Sequence, residues 1–119
     1  MLSIIFLDFD ALNFRINMNK IFTKSINDKL IVNLTFRTLK GVVSKRKCVP
    51  FDYGPSRRFR DKSQRYHFLV LDGPEGRHNL SILPMQIVKI ELTKKHFNPA
   101  NYIKWKPKWF VKRNWGVYS

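Results

Sequence analysis

Arg65-Tyr66-His67-Phe68-Leu69-Val70-Leu71-Asp72 is followed by Gly73-Pro74-Glu75-Gly76 and then by Arg77-His78-Asn79-Leu80-Ser81-Ile82. No other segment of the chain constrains the architecture as strongly. Tyr66, Phe68 and Val70 are apolar at period two, the glycine-proline run can continue neither a strand nor a helix, and Leu80 and Ile82 resume the alternation. The pattern predicts a β-hairpin. After Pro84, Ile87, Ile90 and Leu92 predict a third, short strand beginning near Ile87. Upstream, Leu30, Val32, Leu34 and Phe36 alternate with Ile31, Asn33, Thr35 and Arg37, the signature of a half-buried strand rich in β-formers. Thr38-Leu39-Lys40-Gly41 reads as a turn, and Val42 to Val49 as the returning strand. Pro50 is expected to end it, leaving Phe51-Asp52-Tyr53-Gly54-Pro55 as a loop, since two prolines and a glycine in six residues interrupt a ladder.

At 119 residues the chain has room for one domain with a modest core. Twenty-three Lys plus Arg against 8 Asp plus Glu give a formal net charge of +15, which points to a polyanionic partner. Solubility alone is the competing account of that charge. The single cysteine, Cys48, leaves no disulfide framework and no Cys/His zinc cluster, and suits a reducing, cytoplasmic setting. The apolar run Leu2 to Leu7 is far shorter than the roughly 20 residues of a membrane helix, and Asp8 and Asp10 follow it at once. It also lacks the pattern of a signal peptide, so neither a membrane association nor a targeting segment is expected.

Residues 1–17 carry one basic residue, Arg15, and read as an N-terminal arm or as a leader ahead of Met18-Asn19-Lys20-Ile21. Ile4-Ile5-Phe6-Leu7-Asp8-Phe9-Asp10 resembles the Asp-x-Asp nucleophile motif of haloacid-dehalogenase-like phosphatases. Ala11-Leu12 stand where that family has Gly-Thr, and the chain is too short for its α/β core. Ile21, Phe22, Ile26 and Leu30 predict a short helix over Asn19 to Asn27, capping one end of a barrel.

A second resemblance covers residues 27–97. Leu30 to Phe36, Gly41, Ser44, Arg46-Lys47-Cys48-Val49-Pro50, the strand Tyr66 to Asp72, Ile87-x-x-Ile90-Glu91-Leu92 and Phe97 resemble the WYL domain in order and spacing. Tyr66-His67-Phe68 replaces the eponymous triplet, and Met85-Gln86 stands where the family usually has Asp-Arg. The resemblance implies an Sm-like, SH3-like barrel that senses or binds a negatively charged ligand or nucleic acid, usually within a bacterial transcription regulator. No helix-turn-helix pattern accompanies it here.

Ser56 to Arg65 packs Arg57, Arg58, Arg60, Lys62 and Arg65 around Phe59. Guanidinium forks suit phosphate, and an aromatic among them can stack on a base or pin the loop. A solvated loop is the alternative. Hairpin geometry adds Lys45 and Arg46 from the neighbouring strand, so the candidate anion surface comprises Lys45, Arg46, Arg57, Arg58, Phe59, Arg60, Arg65 and His67. His67, His78 and His96 lack an acidic or thiol companion at metal-site spacing, so no metal is expected. The carboxylates are scattered over turns and strand ends, without a Ser/His/Asp arrangement or a phosphate-cradling glycine loop. No catalysis and no cofactor are expected.

In the tail, Lys104, Lys106 and Lys108 alternate with Trp105, Pro107 and Trp109, and Trp115 follows. These tryptophans either bury against the domain or form a stacking platform. The expectation is a small, mainly β single domain: a bent antiparallel barrel (residues 18–97) with a short N-terminal helix and an extended, Trp-rich tail (98–119) packed on it. It binds nucleic acid, RNA or DNA, or another polyanion without catalysis. The alternative is a small-anion sensor or protein-interaction module acting with a partner that carries the DNA-reading domain.

Overall fold

The computed structural model describes the backbone of residues 2–119 and the side chains of residues 9–119. A helix, α1 (Leu2–Asn27), precedes five strands: β1 (Leu30–Arg37), β2 (Val43–Pro55), β3 (Gln64–Val70), β4 (His78–Ile82) and β5 (Ile87–His96). They form one antiparallel sheet in the order β4-β3-β2-β1-β5. Short 3-10 turns occupy Pro84–Gln86, Pro99–Asn101 and Gly116–Tyr118.

The alternation in β1 holds from Val32 onward, with Val32, Leu34 and Phe36 buried and Asn33 and Thr35 less so, but at its start Ile31, expected on the outer face, is buried and Leu30 only half-buried. Gly41 closes the β1–β2 turn at φ 88°, a left-handed conformation that costs glycine nothing. The β3–β4 hairpin pairs Tyr66 with Ile82 and Phe68 with Leu80.

The sheet is open, which corrects the expected barrel. Among the described residues β4 and β5 are its two edges, each with one neighbour. Only four residues lie between Ile82 and Ile87, five steps of chain with a reach of at most about 17 Å. A flat five-stranded sheet would hold its edges about 19 Å apart, so the sheet must curl to let the chain cross. Closure stops at the Pro84–Gln86 turn. There Leu83 N–H donates to Gln86 Oε1 (2.9 Å), and Gln86 Nε2 donates to the Arg37 carbonyl at the end of β1 (3.2 Å). A side-chain amide thus takes bonds that a closing ladder would use.

β2 also departs from expectation. It does not end at Pro50 but continues to Pro55, with an irregular register against β3 between Pro50 and Asp52. β1 pairs with β2 only as far as Cys48, so beyond that point β2 has a strand on one side only. A proline without its N–H is tolerated there.

The helix is 26 residues long rather than starting near Asn19. Met18, Phe22, Ser25 and Ile26 form its packed face at helical spacing. Phe22 meets Tyr66 and Phe68 edge to face at 4.8 and 5.4 Å, joining α1 to the sheet core of Val32, Leu34, Val49 and Val70. Each such apolar side chain contributes roughly 1.5–3 kcal/mol by burial. Residues 9–17 overhang the sheet and are exposed. Asp10 therefore lies on a helix, not at the strand end that a phosphatase nucleophile motif needs. Among the described residues no helix is long and apolar enough to cross a membrane.

Candidate nucleic-acid interface

The unpaired side of β2 is where the C-terminal tail docks. Asp52, buried on β2, accepts from the backbone N–H of Phe110 (3.0 Å) and of Val111 (2.9 Å), and from Arg113 Nη2 (3.3 Å). A carboxylate here replaces the missing strand. Arg113 Nη1 donates to the Phe51 carbonyl and Nε to the Val111 carbonyl (3.1 Å), while its guanidinium lies over the rings of Trp109 and Trp115 at 4.0 and 4.5 Å. Burial pushes the Arg113 guanidinium down to about 10, against the pull of Asp52. The arginine remains charged at neutral pH.

Two indoles complete the lock: Trp115 Nε1 donates to the Ile26 carbonyl of α1, and Trp109 Nε1 to the Tyr118 carbonyl, both at 2.7 Å. Phe110 lies flat against Gly54, where an added Cβ would sit 2.3 Å from its ring. Only glycine allows that approach.

Opposite this tail stands the loop between β2 and β3. Its backbone is shaped by Ser56, whose carbonyl accepts from Phe59 N–H (3.2 Å) and whose hydroxyl accepts from Arg58 N–H (3.2 Å). Asp61 accepts from both the N–H and the hydroxyl of Ser63, bonds that hold its carboxyl below the ordinary aspartate range. Between loop and tail lies a cleft of about 1080 Å³ floored by β2, β3 and β4. Arg57, Arg60 and Lys62 stand on the loop side, and Lys106 and Lys108 on the tail side. Asp52, the one carboxylate lining it, is already engaged.

On the floor, His67 Nε2 lies 2.9 Å from the Gly54 carbonyl and Nδ1 lies 2.7 Å from Ser81 Oγ. A carbonyl only accepts, so Nε2 carries the proton and, in the neutral ring, Nδ1 accepts from the Ser81 hydroxyl. His67 is paired with Ser81 and His78 with Val70, so the two histidines are not opposed. No cluster of three metal-ligating side chains occurs among the described residues.

The cleft thus gathers Arg57, Phe59, Arg60 and His67 from the expected surface. Arg58 is exposed on the same loop but does not line it. Arg65 is buried, its guanidinium 3.7 Å from the Phe59 ring centre. Lys45 and Arg46 lie on the far half of β2; Arg46 precedes Pro55 by nine residues, about 30 Å of extended chain. There Lys45 pairs with Glu91 at 3.7 Å and Arg46 Nη1 donates to the Lys45 carbonyl. The sequence surface left out Lys62, Trp105, Lys106, Lys108 and Phe110. The lysine-tryptophan alternation of the tail was the available signal for three of them. A family-model scan, the curated proteins and the solved structures give no match to this chain.

Proposed function

We propose that this protein is a non-catalytic nucleic-acid-binding module that holds phosphates between its basic loop and its C-terminal tail. The observation that carries the reading is the composition of the cleft: five cations, aromatic rings, and a lone carboxylate already satisfied by the tail. The reading includes a WYL-like, Sm- or SH3-like type of fold. In its favour, Leu30 to Phe36, Arg46 to Pro50, Tyr66 to Val70 and Ile87 to Leu92 of the resemblance fall on β1, β2, β3 and β5, and Gly41 on the turn between β1 and β2. Gln86, one departure from that family, has a structural use here, bonding Leu83 and Arg37.

Titration of random-sequence DNA and RNA against salt tests the proposal. Replacing Arg57, Arg60 and Lys62 together by Ala should weaken binding and flatten the log-log salt slope by about 2–3, since each lost phosphate contact is worth about 0.7 on single strands and 0.9 on duplex. One saturating small anion with little oligonucleotide binding would instead favour the sensor acting beside a DNA-reading partner.

A further inference from the structure

We infer that the cleft takes a single strand, not a duplex, with unpaired bases stacked on Trp105 and the phosphates running between Arg57 and Arg60 on one wall and Lys106 and Lys108 on the other. The inference rests on the nucleic-acid reading and narrows it to one class of ligand. Its starting observation is the unequal treatment of the three tryptophans. Trp115 is buried and Trp109 partly so, each with its indole N–H bonded to a carbonyl, but Trp105 is 51 % exposed and lines the cleft.

Trp105 is nevertheless held. Its ring meets Phe51 at 6.0 Å and 79° and Trp109 at 6.3 Å and 63°, and both of those rings pack on or within the core. Edge contacts of this kind fix the plane of an indole while leaving its surface uncovered. Phe110, 64 % exposed, adds a second ring at the cleft, set by its contact with Gly54 and by the bond from its N–H to Asp52.

A preset aromatic face has a use only for a base whose own face is free. In a duplex the bases are stacked on one another, whereas in a single strand each offers a π-surface to a platform flanked by cations. Aromatic platforms beside backbone-tracking cations are the general solution for single strands, with sites of about 4–16 nucleotides per module.

Fluorescence anisotropy of end-labelled oligonucleotides at low salt, with 12-mers of dT and rU and a 12-base-pair duplex, tests this on the wild-type chain and three variants. Wild type should bind the single strands more tightly than the duplex. Trp105→Ala should cost about 5- to 150-fold on single strands, the range that loss of one stacked base implies, and little on duplex. Trp105→Phe should restore most of the loss. Far-UV circular dichroism and a thermal melt verify that each variant is folded.

A wild-type preference for duplex would overturn the inference, as would a Trp105→Ala loss that is absent or equal on both ligands. If those results coincide with a flattened salt slope for the Arg57→Ala, Arg60→Ala, Lys62→Ala triple variant, the nucleic-acid reading stands without the stacking. If wild type binds neither ligand, both fall together.

Discussion

The two walls of the cleft each contain a buried arginine, and the two arginines are satisfied very differently. Arg113 in the tail, with 1 % of its side chain exposed, donates to two carbonyls and to Asp52 and lies over two indoles. Arg65 at the end of the loop, with 8 % exposed, makes one 3.4 Å contact with an Asp61 that is itself 58 % exposed; it covers Phe59, and its Nε has no partner. Arg113 lies in chain without regular secondary structure, whereas Arg65 is the second residue of β3. Strand content therefore does not decide which arginine is better satisfied, and the irregular tail is ordered by having its buried polar groups met. The tail is a rigid wall by this measure, and the loop a lightly fastened one.

Removing Arg113 should have the largest effect on stability. Arg113→Met keeps much of the volume but leaves the Asp52 carboxylate buried without its cation, and removes both ring contacts. Breaking one partner from a buried pair costs about 3–5 kcal/mol. Urea denaturation should show a loss of that size. A loss below about 1 kcal/mol would mean that the two tail N–H groups alone satisfy Asp52, and that Arg113 does not fasten the wall.

Alkali gives the next largest effect and separates the tail from the sheet beneath it. Burial, helped by the charge of Asp72, pushes the Cys48 thiol up to about 12 from an ordinary value near 9. The unfolded thiol therefore ionises while the folded one does not, so stability falls from about pH 9 upward, at up to about 1.4 kcal/mol per pH unit. Tyr66, also pushed up to about 12 by burial, adds a fall of the same sign above pH 10. Arg113 acts oppositely: with its folded value near 10, below the ordinary guanidinium range, the unfolded chain holds more protons above pH 10, and stability from this group rises with pH. Melting temperatures should drop between pH 8 and 10 in wild type and hardly at all in Cys48→Ala. A variant with the same drop would show that the thiol is not its source.

The sequence carried the strands well where the signal is local. β1 occupies Leu30–Arg37 as its period-two pattern predicts, because Val32, Leu34 and Phe36 meet the core, and β5 starts at Ile87 as expected but runs on to His96 with Leu92 exposed. It failed where distant parts decide. Pro50 reads as a strand end, and becomes part of β2 only because β1 stops pairing at Cys48. The long α1 was hidden because residues 9–17 bury no face that periodicity could reveal. At the site, five cations in ten residues made the loop visible, but nothing local distinguishes Arg65, turned under Phe59, from Arg57 in the cleft. The Asp52–Arg113 pair spans 61 positions and had no spacing to betray it.

The smallest expected effect is on the looser wall, and its sign is the point of interest. Arg65→Met removes a guanidinium that is nearly excluded from water yet bonded once, at 3.4 Å, with Nε unpaired. Desolvating a charge is costly, and replacing a poorly satisfied buried ion by an apolar side chain of similar volume is often neutral or stabilising. Met also keeps a contact with Phe59, since its thioether packs favourably against an aromatic ring. Asp61, itself exposed, loses one 3.4 Å contact and retains both bonds from Ser63, so no buried carboxylate is stranded. Urea midpoints of Arg65→Met should therefore fall within about 0.5 kcal/mol of wild type or above it, in the range of ordinary surface changes. Oligonucleotide affinity should be unchanged, because Arg65 does not line the cleft. A stability loss comparable to that of Arg113→Met would show that the loop wall is fastened as firmly as the tail. A loss of affinity without a loss of stability would show that Phe59 turns aside and lets Arg65 reach a phosphate.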